Sequence, residues 1–255
     1  MKIWKAIFGG IVIIGVFGVV GFLKFQAGAD LVNPPQFIQA DFIDLDKIYS
    51  ISKFRSGAGH DFSGNGEKCR SMKHYFNVQD SSEKFAVWDK NNGLPPPPVA
   101  GSAIDIFSPV DGKIVKVEVE QTPIGQQVYI SPEKASEFTV RLFHIYLLPE
   151  IKKGSQVKAG QKIGEIGKYQ NTDIAISTGL IGRTFISYFQ ALPENIFVKY
   201  QARGVVSRNE LIITKEQRDA QPLQCNGEQF AKKYDSIAPE ANYVYLSGWQ
   251  NPVSY

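Results

Sequence analysis

From Ile104 to Thr178 the chain is a series of short runs rich in Ile, Val, Phe and Tyr, separated by turn residues. IDIF and KIVKVEVE lie either side of Pro109-Val110-Asp111-Gly112. QQVYI and FTVRLFHIYLL follow, VKAGQKIGEIG turns at Ala159-Gly160-Gln161, and TDIAIST alternates. β-Branched and aromatic residues punctuated at this spacing predict strands. The expectation is a compact antiparallel sheet over residues 104–178 with a face on a core. The 23 glycines and 14 prolines point the same way, because they favour turns over long helices.

The N-terminus carries a different signal. Residues 6–23, AIFGGIVIIGVFGVVGFL, hold no charge and lie between Lys5 and Lys24. A helix of that length spans roughly 27 Å at about 1.5 Å per residue, close to the hydrocarbon thickness of a bilayer. It is expected to anchor the chain, although the small residues Ala27-Gly28-Ala29 also fit a cleaved signal peptide and a secreted product. Either way the bulk of the chain is expected outside the cytoplasm. Nucleic acid is not an expected partner. Three of the 28 Lys and Arg lie in the first 24 residues, which lack acids, and the others balance the 25 Asp and Glu. In an oxidising compartment Cys69 and Cys225 are candidates for a disulfide, with two free buried thiols as the alternative.

These signals divide the chain into an anchor or signal segment (1–29), a stalk and polar histidine-bearing segment with a proline-rich spacer (30–103), the sheet domain (104–178) and an α/β extension (179–255). The polar segment, FRSGAGHDFSGNGEKCRSMKHYF from Phe54 to Phe76, contains His60 and His74, and its glycines forbid a stable helix over most of its length. It reads as an ordered functional loop. In the extension Pro193-Glu194-Asn195 can open one helix, Thr214 or Lys215 another, and NGEQFAKKYDSI has helical spacing.

Taken in order, IFSPVDGKIVKVEVE, GQQVYISPE, FTVRLFHIYLL, IKKGSQVKAGQKIGEIG and TDIAIST resemble the sheet core of the lysostaphin-like zinc endopeptidases, over about 75 of 255 residues. The resemblance implies a mainly β fold of the lysostaphin-like, duplicated hybrid motif type. To it the sequence adds an α/β C-terminal extension and one N-terminal transmembrane helix. It also implies zinc held by two histidines and an aspartate, and cleavage of peptide bonds, mostly in peptidoglycan. The motifs depart from this pattern. The family's last strand carries H-x-H, two residues that share one face of a strand, and here those positions are Asp173 and Ala175. A methyl group cannot bind zinc. The family's upstream H-x-x-x-D pair is not reproduced either, since four residues beyond His60 is Gly64 and four beyond His74 is Val78.

Two functional classes follow. One is a non-catalytic envelope module that keeps the sheet and binds cell-wall peptide, glycan or another envelope protein. The other is a zinc hydrolase with re-sorted ligands: His60, His74 and Asp173 on the metal, Asp61 or His144 as base or orienting group. His144 matches the histidine of the family's YxHL strand. Strand alternation places it with Val140, Leu142 and Tyr146, where it could equally be a core residue. Asp61 could instead cap amides of its own turn, and His74 could be a surface residue of a short helix opening at Ser71. A third class, an efflux or secretion adaptor with lipoyl-like halves, is disfavoured because residues 119–156 carry strand patterns and prolines, not a helical hairpin.

Overall fold

The computed structural model describes residues 29–249 except 32, 65, 79–80, 92, 121–123 and 179–182. The expected membrane helix, with Ala27 and Gly28 of the small-residue site, lies outside the described residues. Among those described, no helix is long and apolar enough to cross a membrane.

Thirteen strands are described: β1 (Ser50–Ser52), β2 (His74–Asn77), β3 (Ile104–Phe107), β4 (Gly112–Val119), β5 (Gln126–Pro132), β6 (Phe138–Leu147), β7 (Gln156–Val157), β8 (Lys162–Ile166), β9 (Thr172–Thr178), β10 (Thr184–Ile186), β11 (Cys225–Asn226), β12 (Gln229–Phe230) and β13 (Tyr243–Tyr245). Eleven form one sheet, in the order β13-β1-β2-β9-β6-β5-β4-β7, with β10 on β9 and β8 joining β3 to β6. The named pairings are antiparallel. The sheet predicted over 104–178 therefore continues outside those bounds. β1 and β2 come from the segment before it, β10 and β13 from the extension after it. A strand with two hydrogen-bonding edges accepts partners from anywhere in the chain, which local periodicity does not reveal.

β6 and β9 lie at the centre and are covered on both sides. Val140, Leu142, Ile174 and Ile176 enter the main core with Ile51, Phe76, Ile130 and Phe189. The opposite face carries a smaller cluster of Phe54, Met72, Phe143, Ala175 and Phe185, against which Phe62 packs. Much of this second layer comes from the polar segment, which folds back over the sheet. Its glycines permit that close approach. At Gly59, with φ +67, an added Cβ would stand 2.0 Å from the Tyr75 hydroxyl.

The first helices in chain order are α1 (Ser81–Lys90), α2 (Tyr188–Ala191), α3 (Glu194–Gln201) and α4 (Lys215–Ala220). α3 follows Pro193 as expected, and α4 is opened by a Thr214 capping box with Gln217. NGEQFAKKYDSI departs from its helical spacing. Gly227 takes φ 62 and turns β11 into β12, so only α5 (Tyr234–Ile237) of that stretch is helical. A further short helix, α6 (Pro239–Asn242), precedes β13. Cys69 and Cys225 are joined by a disulfide with Cα atoms 5.7 Å apart, tying the polar segment to the hairpin of the extension.

Candidate functional site

β2 and β9 pair with Tyr75 opposite Asp173 and His74 opposite Ile174. Side chains alternate across a sheet, so Lys73 and Tyr75 share the face of Asp173 while His74 takes the other. The Lys73 ammonium lies at the middle of this face, 2.7 Å from Asp173 Oδ2 and 3.4 Å from His60 Nε2. The rings of Phe143, Tyr75 and Phe62 surround it, with centroids 4.5, 4.6 and 5.1 Å away. Lys73 is 2% exposed and Asp173 0%. An ammonium out of water needs a counter-charge, hydrogen-bond acceptors and polarisable faces, and this cage supplies all three.

The same carboxylate oxygen is 3.3 Å from His144 Nε2, and His144 Nδ1 is 2.7 Å from Glu120 Oε2. Alternation places His144 on the core face with Leu142, but the structure places it on the site face. Four residues of β6, Leu142 to Ile145, cover the interval that three residues, Val128 to Gln126, cover on β5, so the strand bulges by one residue. His144 absorbs the bulge at φ 63, and its carbonyl accepts from the buried Gln170 amide. The ring thereby turns toward Asp173.

Electrostatics follow from these contacts. Burial alone would lower the His144 pKa, but the Asp173 charge and then Glu120 outweigh it and lift it to about 9. His144 is therefore a cation at neutral pH, and both its ring nitrogens donate. Burial also opposes the charges of Lys73 and Asp173, yet each stabilises the other: Lys73 is raised and Asp173 is held well below the usual carboxylate range. His60 is lowered, first by burial and then by the Lys73 charge. As a neutral ring it donates from Nδ1 to its neighbour's carbonyl, Asp61 O at 2.9 Å, and leaves the Nε2 lone pair facing the ammonium.

The predicted metal set is thus partly assembled, but around a different cation. His60 and Asp173 direct their lone pairs at one point, and that point is Lys73 Nζ. His74 is absent from it. It lies 1% exposed on the core side, with Nδ1 on Ser52 O at 2.7 Å and Nε2 on Ser187 Oγ at 2.7 Å. Burial lowers its pKa to about 4. The helix considered for it at Ser71 is strand β2 instead. The two carboxylate oxygens of Asp61 accept the backbone N–H groups of Cys69 and Arg70, the amide-capping contact that the sequence also allows. Ala175 packs in the small apolar cluster opposite Arg141.

Zinc needs three or four deprotonated donors. Among the described residues no group of three or more His, Cys, Asp or Glu is placed to hold a metal. An ammonium already hydrogen-bonded to two of the candidate donors does not fit a divalent ion beside it. Beside the cage is a cavity of about 250 Å³ lined by Tyr75, Trp88, Leu94, Ile124, His144 and Asp173. Asp173 Oδ1 and Asn171 Oδ1 at its wall are buried without a hydrogen-bond partner among the described residues. Sequence reasoning missed Lys73 and Glu120. One signal was available for Lys73: it precedes Asn77 by four residues, the spacing of the missing H-x-x-x-D pair, and it is a charge inside a strand-forming run.

No family model matches the chain, and no curated protein matches it. Solved structures do. Lysostaphin is 19% identical over 37% of this chain and 42% of its own length, with a TM-score of 0.25. A zinc-containing peptidase of Vibrio cholerae is 16% identical over 57% of this chain and 41% of its own, TM-score 0.30. The SpoIIQ–SpoIIIAH pore-forming complex contributes a chain 13% identical over 63% of this chain and 90% of its own, TM-score 0.35. The chain thus spans less than half of lysostaphin's length. It is similar to lysostaphin-like peptidase structures, as its strand motifs suggest.

Proposed function

We propose that this chain is a non-catalytic binding module of the cell envelope, anchored by its N-terminal segment, in which the Lys73 ammonium fills the place a catalytic metal would take. The observation that carries the reading is the 2.7 Å contact between Lys73 Nζ and Asp173 Oδ2 at the meeting point of the His60 and Asp173 lone pairs. A lysine cation can neutralise a carboxylate and order a groove. It cannot lower the pKa of a bound water or polarise a carbonyl as a Lewis acid does. The charged groups that line the adjoining cavity, His144 and Asp173, balance, so it suits a neutral part of a cell-wall peptide or glycan. Placement outside the cytoplasm is supported by the uncharged run at 6–23 and by the Cys69–Cys225 disulfide, which persists in oxidising compartments.

Metal analysis tests this directly. The purified full chain is expected to hold far less than one zinc per molecule and to show no peptidoglycan hydrolysis with zinc added. One tightly bound zinc per chain, lost on His60→Ala, would instead establish the hydrolase with re-sorted ligands. Sedimentation with purified cell-wall material tests binding, and membrane fractionation tests the anchor.

A further inference from the structure

The extension holds a second site that neither the sheet motifs nor the Lys73 cage involve. A cleft of about 720 Å³ opens between the Asn209–Ile213 segment, α4, α5 and α6, with Lys53 from the end of β1 on its wall. Arg218, in the last turn of α4, lines it and is only 8% exposed. Its Nε donates to Arg55 O at 2.7 Å and its Nη1 to Gln221 O at 3.1 Å. Among the described residues it forms no ion pair. The charged or titratable groups that act on it are Arg70, which repels it and is itself paired with Glu67 and Asp219, and Tyr234. Three of its five N–H groups are unspent.

A guanidinium buried without a carboxylate is costly unless an anion joins it. The second cation of the cleft is Lys53, on which the Glu210 charge acts. Lys53 Nζ donates to Glu240 O at 2.7 Å and forms no ion pair among the described residues. One carboxylate lines the cleft, Glu210, and it accepts the Val206 N–H at 2.8 Å. The lining therefore carries two positive charges and one negative. A single negative charge completes it, which matches a carboxylate better than a phosphate dianion. The other walls include Ile212, Ile213, Pro222 and Leu223, so the carboxylate should sit on an apolar body. The disulfide at Cys225 ties the chain just beyond this wall to the polar segment at Cys69.

We propose that the cleft is a recognition site for a carboxylate-bearing peptide, the carboxylate making a two-pronged contact with the free donors of Arg218 and a longer-range one with Lys53, and an apolar residue resting on Ile212 and Leu223. The shared chemistry is the carboxylate, which a peptide offers at its C-terminus or on a Glu side chain.

The test titrates the full chain, by calorimetry and by amide chemical shifts, with three probes: N-acetyl-Leu-Ala-Leu-Ala as the free acid, the same peptide as its C-terminal amide, and an amide with one internal Glu. The free acid or the Glu peptide should saturate the cleft, identifying which carboxylate is read, with the plain amide about 10- to 100-fold weaker, the range for a charge-assisted hydrogen-bond pair. Arg218→Gln should reduce the difference between acid and amide to less than about twofold. Lys53→Gln, which breaks only one bond to a carbonyl, should weaken acid binding severalfold and keeps the test decisive should Arg218→Gln not fold. Equal affinity of acid and amide, acid binding unchanged in Lys53→Gln, no saturable binding of either carboxylate probe, or stronger competition by inorganic phosphate than by acetate would each overturn the proposal. None of these outcomes depends on the zinc content, so this site and the metal-free reading stand or fall separately.

Discussion

Lys73 and Arg218 are both cations taken out of water, 2% and 8% exposed, yet the chain treats them in opposite ways. Around Lys73 the buried cations are answered from within: Asp173 answers Lys73 and His144, and Glu120 answers His144 again. Around Arg218, among the described residues, only backbone carbonyls answer, and the charge that acts on it most is another arginine. Breaking a buried pair leaves a stranded charge and costs far more than removing a charge that had no partner. The first region should therefore behave as part of the folding core. The second should behave as a site whose counter-charge arrives from outside.

The most severe break should be Asp173→Ala, which strands the Lys73 ammonium among three aromatic rings. It should cost about 3–5 kcal/mol in urea unfolding. A loss under about 1 kcal/mol would mean that the cage is not the core feature described. Cys69→Ser with Cys225→Ser comes next, because the bridge closes a loop between positions 156 residues apart. Removing it should cost about 2–5 kcal/mol and loosen the cleft wall before the cage. Hydrogen exchange should show earlier opening in β11 and β12 than in β9.

The paired region also predicts a pH dependence that the unpaired one does not. The His144 pKa is raised to about 9 in the folded chain, so its stabilisation is complete below its ordinary value near 6.5 and is lost as pH rises through 9. About 2–3 kcal/mol should disappear over that window, and His144→Gln should flatten the limb. At the acid end the sign reverses. His74 is lowered to about 4, so stability falls as pH drops from about 6.5 toward 4, where the unfolded chain takes up the proton first. The smallest effect should be Arg218→Gln. It loses two hydrogen bonds to carbonyls but strands no carboxylate, for about 1 kcal/mol or less. A cost as large as that of Asp173→Ala would break the comparison.

Part of this was legible residue by residue. The runs between Ile104 and Thr178 specify antiparallel strands, since β-branched and aromatic residues at strand spacing have few alternatives. Pro193 and Thr214 mark the starts of α3 and α4 because their chemistry is local. His60, Asp173 and His144 were identifiable as groups a sheet face could collect. The cation that joins His60 and Asp173 was not, because a lysine in MKHYF reads as a solvated charge until its neighbours across the sheet are known. Nor was the face of His144, which a single extra residue in β6 inverts.

By itself, then, the sequence determined the antiparallel strands, the uncharged run at residues 6–23, the helix starts and the absence of a histidine at the H-x-H positions. Each depends on residues close to one another along the chain. Only the tertiary structure decided that Lys73 meets Asp173, 100 positions further along the chain, that His74 turns to the core, and that Arg218 is buried with no ion pair among the described residues. Electrostatics acts through space at a few ångströms, and which charges come that close is set by strand register and chain return, not by sequence spacing.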